Sequence, residues 1–217
     1  AVGAVYRNSD PSDIVVTAAG GLVGEVVQIW KPKELNTFET EWGFSCMSYE
    51  ISGALGIKMA KPDQDVIVFV GDGSYLLQNS DIYSSVLYDK KLIIVVCDNG
   101  GHMVINRLQL AKGGNEYLCN LNAARATNVQ FVDFEAHAKS MGANGETVKS
   151  ISELEAAFKR AKESDKTYVI SMKTDGYEWL EGTAFWESPT LEVDNTEGKK
   201  SAPVSYTHLR AHETLTD

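Results

Sequence analysis

Apolar and polar positions form blocks along the chain, and the blocks predict alternating strands and helices. Two runs, DVIVFV at residues 65–70 and KLIIVVCD at residues 91–98, are almost continuously apolar, as in parallel strands covered on both faces. Shorter strands are predicted at residues 13–20 and 167–173. The pattern predicts an α/β fold of three layers, an open parallel sheet with helices on both faces.

Segments with helical spacing lie between and after these strands. The segment of residues 45–60 is rich in small side chains, which is typical of a helix that packs closely against a sheet or a cofactor. Ser152, with acidic residues after it, predicts the start of the last helix. The predicted helices cover residues 22–30, 45–60, 78–90, 131–142 and 151–164.

The end of the chain follows neither period. PVSYTHLRAHET, residues 203–214, resembles the translation of adapter DNA used in sequencing libraries, although an ordinary disordered tail is the alternative. We therefore predict one domain over residues 1–202 and a non-native tail at residues 203–217, and exclude His208 and His212 from the candidate site. The chain also starts without Met, which suggests a piece of a longer protein.

Charge and composition exclude several classes of function. A net charge of −10 argues against nucleic acid or an anionic membrane as partner. No apolar run reaches the roughly 18 residues of a membrane helix, and no signal peptide is visible. Cys46, Cys97 and Cys119 are widely separated, so neither a disulfide framework nor a zinc site is expected. We predict a cytoplasmic bacterial protein in which Cys46 and Cys97 are inert core thiols.

An acidic residue lies between two glycines at the end of the apolar run at residues 65–70. In open α/β sheets ligands bind outside the carboxyl ends of strands. Gly71 and Gly73 let the backbone approach a ligand, and free N–H groups near Ser74 would face a phosphate. A carboxylate at Asp72 would repel a bare phosphate, so this arrangement indicates a divalent cation between the two.

The next strand end supplies more oxygen ligands. Residues 98–101, Asp-Asn-Gly-Gly, follow the second apolar run. Mg²⁺ prefers six oxygens, from carboxylates, carbonyls, water and phosphates. The Asp72 carboxylate, the Asn99 amide oxygen and the Gly101 carbonyl can provide three of them. Neither loop contains Lys or Arg, so the metal and backbone dipoles would have to hold a diphosphate.

The two motifs together, GDGS at residues 71–74 and DNGG at residues 98–101, resemble the signature of thiamine-diphosphate enzymes. This chain has Asp98 where that family has the first Asn, and it keeps the ligand position, Asn99. The resemblance implies thiamine diphosphate and Mg²⁺ as cofactors, with Asp72, Asn99 and Gly101 at the metal. Met47 is implied as the apolar wedge beneath the cofactor, with core filling as the alternative. The implied cofactor-binding residues are Ala19, Gly20, Gly21, Met47, Gly71, Gly73, Ser74 and Asn99.

Longer segments resemble the cofactor domain of the trihydroxycyclohexane-1,2-dione hydrolases of myo-inositol breakdown. The more specific ones are EWGFSCMSYE at residues 41–50 and DNGGHMVINRLQ at residues 98–109, in which His102 and Arg107 depart from the family pattern. The resemblance implies hydrolytic cleavage of a carbon–carbon bond in a cyclic polyhydroxy 1,2-diketone, giving 5-deoxy-glucuronate. Two alternatives stay open: another thiamine-diphosphate lyase or synthase, similar to acetolactate synthase, and a non-catalytic binding module.

The resemblance also implies that part of the catalytic machinery lies elsewhere. These enzymes activate the cofactor with a glutamate on a pyrimidine-binding domain of the same or a neighbouring subunit, so a homodimer or homotetramer is expected. Glu25, Glu41 and Glu50 lack the motif context to replace it, and we interpret Glu41 and Glu50 as solvated or helix-positioning. The chain alone is expected to be inactive.

Other residues carry weaker predictions. His102, beside the metal loop, is a candidate general acid or base, with packing on that loop as the alternative. His137 is interpreted as a surface or satisfied histidine. Gly113 and Gly114 suggest a mobile loop, and Tyr177–Trp179 a closing segment. A dinucleotide site is disfavoured, because GDGSYL lacks the third glycine of the G-x-G-x-x-G motif.

Overall fold

The computed structural model describes residues 1–124 and 128–180, so the predicted tail lies outside the described residues. The described chain contains a six-stranded sheet in which all neighbouring strands run parallel. This confirms the predicted α/β class. The strands, β1 (Ile14–Thr17), β2 (Phe38–Thr40), β3 (Val66–Gly71), β4 (Ile93–Asp98), β5 (Asn144–Val148) and β6 (Tyr168–Lys173), lie in the order β2-β1-β3-β4-β6-β5.

Helices cover both faces of the sheet and complete the three predicted layers. One face carries α1, α2 and α8, and the other carries α3, α4, α5 and α7. Alternate residues of a strand point to opposite faces, so Ile67 and Phe69 join one core while Val66 and Val68 join the other. The helices are α1 (Val2–Arg7), α2 (Gly20–Ile29), α3 (Tyr49–Ala60), α4 (Asp72–Leu77), α5 (Ser80–Leu87), α6 (Met103–Ala111), α7 (Phe134–Ser140) and α8 (Ile151–Glu163).

The direction of the strand order changes between β1 and β3. From β1 the chain passes through α2 to β2 on one side, and α3 then returns it to β3 on the other side of β1. Such a reversal leaves a crevice at the carboxyl ends of the two strands, where ligands of open α/β sheets bind. The β1–α2 turn and the β3–α4 turn therefore face each other.

Several element boundaries differ from the prediction. The helix expected over residues 45–60 begins only at Tyr49. The last helix is capped by Ser150, whose hydroxyl accepts from the Glu153 N–H at 3.2 Å, and not by Ser152. The edge strands β2 and β5 escape the pattern because they are short and contain few apolar residues. No helix of the described residues has both the length and the apolar character needed to span a membrane.

Candidate functional site

The carboxyl ends of β1, β3, β4 and β6 open into a cavity of about 390 Å³. Its volume is in the range of small-molecule sites. The predicted site residues come from three strand-end turns and from the segment before α3, and the fold brings all of them to this cavity. They are Ala19, Gly20, Gly21, Met47, Gly71, Asp72, Gly73, Ser74, Asn99, Gly101 and His102.

Asp72 is the first residue of α4, and it is buried at the wall of this cavity. Burial, and then the negative charge of Asp98, raise the pKa of Asp72 to about 6, while the backbone N–H groups of Gly101 and Asn99 at the end of β4 oppose this shift. The ionised carboxylate is thus disfavoured in the protein alone, and a bound divalent cation would stabilise it.

The side-chain amide of Asn99 lies against the same carboxylate. One of its two polar atoms is 3.1 Å from Asp72 Oδ1 and 2.8 Å from the carbonyl oxygen of Gly101. With nitrogen in that position, the amide donates to both oxygens, which is the satisfied orientation of the protein alone. With oxygen there, the amide oxygen lies beside a carboxylate oxygen and a carbonyl oxygen, at separations that neighbouring ligands of a small cation can have. The donor set therefore fits Mg²⁺.

In the part of the chain that the structure describes, no group of three or more His, Cys, Asp or Glu side chains is placed to hold a metal ion. A cation at Asp72 would have one carboxylate, one amide and one carbonyl from this chain. Mg²⁺ commonly completes its shell with water and substrate phosphates rather than with a cage of protein side chains. A donor set of this kind fits a metal that protein and a phosphorylated ligand would hold jointly.

Asp98, which replaces the first Asn of the family motif, has partners of its own. It is buried at the end of β4, and its Oδ1 accepts from the Gly100 N–H at 3.1 Å. Lys173 lies opposite Asp98 in the register of β4 and β6, with Nζ 2.5 Å from Asp98 Oδ2. The lysine compensates the extra charge, and the aspartate holds the turn that carries Asn99 and Gly101.

His102 is exposed and precedes the first residue of α6. Its ring packs directly on the GDG turn, because a Cβ added at Gly73 would lie 2.5 Å from His102 Cε1. The ring therefore lies against this turn and also lines the cavity, which fits both interpretations of His102. Its role as a general acid or base remains a prediction.

Met47 lies in the irregular segment before α3 and is half-buried at the cavity wall. Ser45 and Ser48, on either side of it, have positive φ angles of 50° and 81°, which residues other than glycine rarely adopt. The same irregular path exposes Cys46, so its prediction as a core thiol is wrong. The burial prediction for Cys97 is confirmed, and burial raises the pKa of its thiol to about 12.

Of the two interpretations of Glu50, solvated or helix-positioning, the structure contradicts the first. Glu50 is only 1 % exposed, whereas Glu41 lies near the surface and accepts from the Phe44 and Cys46 N–H groups. Burial raises the pKa of Glu50 above its ordinary value. Its position in a segment of small residues gives no periodic signal of burial, so sequence reasoning misses its contacts. Glu25 also lines the cavity, and its pKa is raised by burial.

The segment after β6 lies along the cavity. The Tyr177 hydroxyl donates to Glu116 Oε1 at 2.6 Å and accepts from Asn120 Nδ2 at 2.7 Å. The Arg107 guanidinium lies 4.1 Å from the centre of the Trp179 ring, and both residues line the cavity. These contacts connect the segment to the chain around α6, while its closing motion and the mobility of the loop at Gly113 remain predictions.

His137 is a residue of α7 and lies away from the cavity. Its Nδ1 is 3.0 Å from the Tyr75 hydroxyl oxygen, and the two rings pack edge to face. The interpretation of His137 as a satisfied histidine is confirmed.

Comparisons with known proteins identify the domain. The model of the family described as "Thiamine pyrophosphate enzyme, C-terminal TPP binding domain" matches residues 18–172. A 3D-(3,5/4)-trihydroxycyclohexane-1,2-dione hydrolase from Halalkalibacterium halodurans is 36% identical over 204 residues, which are 91% of this chain and 31% of that protein. The hydrolase of the same name from Listeria monocytogenes is 38% identical over 194 residues, covering 88% of this chain and 30% of that protein.

Solved structures agree on the fold. A thiamine diphosphate-dependent 4-hydroxybenzoylformate decarboxylase from Rhodococcus jostii superposes with a TM-score of 0.66 at 20% identity, over 80% of this chain and 32% of that one. A benzoylformate decarboxylase from Polynucleobacter necessarius gives 0.66 at 19% identity, over 81% and 32%. The chain thus spans about a third of the length of the proteins that it matches.

Proposed function

Because the chain belongs to the thiamine pyrophosphate enzymes, through their C-terminal TPP-binding domain, we propose that it supplies the diphosphate- and metal-binding half of a hydrolase active site. The complete enzyme would cleave a carbon–carbon bond of a cyclic polyhydroxy 1,2-diketone with water. This proposal is supported by the relatives, which are named as hydrolases of trihydroxycyclohexane-1,2-dione. The observation that carries the proposal is the position of the Asn99 amide against both the Asp72 carboxylate and the Gly101 carbonyl, with all three residues lining the cavity.

The residues of the cavity fit a magnesium diphosphate. Asp72, the Asn99 amide oxygen and the Gly101 carbonyl would hold Mg²⁺, and the cation would offset the negative charge of the buried carboxylate. Ala19 and Gly71 are the N-cap residues of α2 and α4, whose first N–H groups favour a phosphate. Thiamine diphosphate, when bound, supplies the electron sink that cleavage of a carbon–carbon bond needs.

The rest of the active site would come from a pyrimidine-binding domain. We propose that this domain belongs to the same or a neighbouring subunit of a homodimer or homotetramer, and that it carries the activating glutamate. The hydrogen bonds of Glu50 support a glutamate from elsewhere, because both of its carboxylate oxygens already accept hydrogen bonds within the chain. Met47 would contact the cofactor with its apolar side chain, and the exposed imidazole of His102 would transfer a proton to or from the substrate.

The activity test uses the complete protein that contains this chain, supplied with thiamine diphosphate and Mg²⁺. We expect it to convert trihydroxycyclohexane-1,2-dione to the ring-opened deoxy-uronic acid, as followed by NMR of the products. Pyruvate serves as the competing substrate. Formation of acetolactate without turnover of the dione would indicate a synthase, and cofactor binding without turnover of either compound would indicate a binding module.

The cofactors are also expected to stabilise the protein together. Thiamine diphosphate with Mg²⁺ should raise the melting temperature of the complete protein, because a ligand at 100 times its Kd stabilises the native state by about 2.7 kcal/mol. Either component alone should do much less, since the Asp72 carboxylate would hold a metal whose remaining ligands the diphosphate would supply. Differential scanning fluorimetry with Mg²⁺, with EDTA and with each component alone measures this. No shift at saturating concentrations of both would contradict the joint metal–diphosphate site.

A further inference from the structure

One buried carboxylate connects three turns of the cavity. Glu50, in the first turn of α3, accepts from the Ala19 N–H through Oε1 at 3.2 Å and from the Ser74 hydroxyl through Oε2 at 2.9 Å. The Ser74 oxygen in turn accepts from the Ser48 N–H at 2.6 Å. The side chains of Glu50 and Ser74 therefore satisfy donors from three different segments.

These segments are the N-terminal ends of three helices that face the cavity. Ala19 is the N-cap residue of α2, Ser48 is the N-cap residue of α3, and Ser74 lies in the first turn of α4. Ala19 and Ser74 are themselves buried. Because a buried donor without a partner is strongly disfavoured, the carboxylate restricts how the three helix ends can move relative to each other.

We propose that Glu50 is a positioning residue of the cofactor site, which holds the β1–α2 turn, the segment of Met47 and the GDG helix in one arrangement. The proposal rests on the proposed function, since it concerns the same cofactor. In this proposal Glu50 does not act on the cofactor itself, because it is buried behind the residues that line the cavity and each of its oxygens accepts a hydrogen bond inside the chain.

Two consequences follow for neighbouring residues. The Ser74 hydroxyl is used for the contacts with Glu50 and Ser48, so its backbone N–H is the group left to face a diphosphate. Met47 immediately precedes Ser48, so the position of its side chain depends on the same hydrogen bonds. A change at Glu50 should therefore disturb cofactor binding at a distance from the metal.

The test compares Glu50→Gln with the wild type in the complete protein. The amide keeps the volume and one acceptor for Ala19, but it cannot accept from the Ser74 hydroxyl at its nitrogen. We expect thiamine diphosphate to bind on the order of tenfold more weakly, with kcat at saturating cofactor close to that of the wild type. Hydrogen exchange of the apo protein should show faster exchange at the Ala19 and Ser48 amides.

Ser74→Ala is the second variant, because it removes the same connection and leaves the carboxylate in place. It should weaken cofactor binding to a similar extent, and the double variant should bind no more weakly than the worse single one, as for residues of one network. Glu135→Gln is the matched control. Glu135 also accepts from a backbone N–H of another element, that of Thr147 at 2.9 Å, but it lies away from the cavity, so cofactor affinity should be unchanged.

The outcomes separate this proposal from the proposed function. Wild-type protein that binds no thiamine diphosphate would overturn the proposed function. Wild-type binding with unchanged affinity in folded Glu50→Gln and Ser74→Ala would overturn only the positioning role. Additive losses in the double variant, or a large loss of kcat with unchanged affinity, would overturn it as well, because Glu50 would then act independently of Ser74 or on the chemistry.

Discussion

Replacing Asp72 with Asn in the complete protein is expected to weaken thiamine diphosphate binding at least a hundredfold and to leave the apo protein folded. Asparagine keeps the volume and one oxygen, and it removes the charge that would face Mg²⁺. Breaking a buried charge contact of this kind costs about 3–5 kcal/mol, which corresponds to roughly a hundredfold or more in affinity. Isothermal titration of the cofactor into both proteins measures the effect, and activity should recover partly at very high Mg²⁺.

The same variant, although it binds the cofactor more weakly, should be more stable than the wild type in the apo form at neutral pH. The pKa of Asp72 is raised from 3.8 to about 6, so the native apo protein binds a proton more tightly than the unfolded chain between these values. The wild-type apo protein therefore loses stability as the pH rises through this window. The amide of the Asp72→Asn variant does not titrate, so above about pH 6 the variant should be more stable by up to about 3 kcal/mol, and below about pH 4 this advantage should vanish.

Thermal melts of the two apo proteins from about pH 4 to about pH 8 test this. The turn at Gly71 and Gly73 is present in both proteins, so a difference in melting temperature between them is due to the Asp72 carboxylate. Unchanged cofactor affinity combined with a strongly destabilised apo variant would mean that Asp72 serves the turn and not a metal.

The central part of the fold can be predicted from the sequence because its signals are local. β3 and β4 are buried on both faces and therefore appear as continuous apolar runs. Their carboxyl ends lie at the same edge because the strands are parallel, so the residues that follow each run must meet. The apolar runs and the parallel arrangement they imply are therefore enough to place Asp72 beside Asn99 and Gly101.

The contacts that escape prediction join residues far apart in the chain. Nothing in the segment around Glu50 indicates that Ala19 and Ser74 will surround it, since each of the three belongs to a different element. The pairing of Asp98 with Lys173 depends on the register of β4 and β6, which a single sequence does not specify. Cys46 is exposed because the chain before α3 is irregular, although its apolar neighbours favour a buried thiol.

Replacing Gly101 with Ala is expected to have the largest effect on stability among changes at the site. Gly101 has a φ of 139°, and an added Cβ would overlap the backbone carbonyl oxygen of Cys119. A clashing side chain could rotate aside, but this carbonyl belongs to the backbone. Its segment is held by the β-bridge between Gly101 and Asn120, and the Leu121 N–H donates to the Gly100 carbonyl at 2.9 Å. Strain and overpacking together should destabilise the protein by about 2–5 kcal/mol.

The expected result is a melting temperature lower by roughly 5–15 °C and a loss of Mg²⁺-dependent cofactor binding, because relief of the clash moves the carbonyl proposed as a metal ligand.

Gly56→Ala is the matched control. Gly56 is exposed in α3 and a Cβ there would meet nothing within 4 Å, so alanine should stabilise the helix by about 0.5–1 kcal/mol. If Gly101→Ala melted like the wild type and bound Mg²⁺ and thiamine diphosphate normally, the turn would tolerate rearrangement, and the Gly101 carbonyl would not be a ligand in a fixed position.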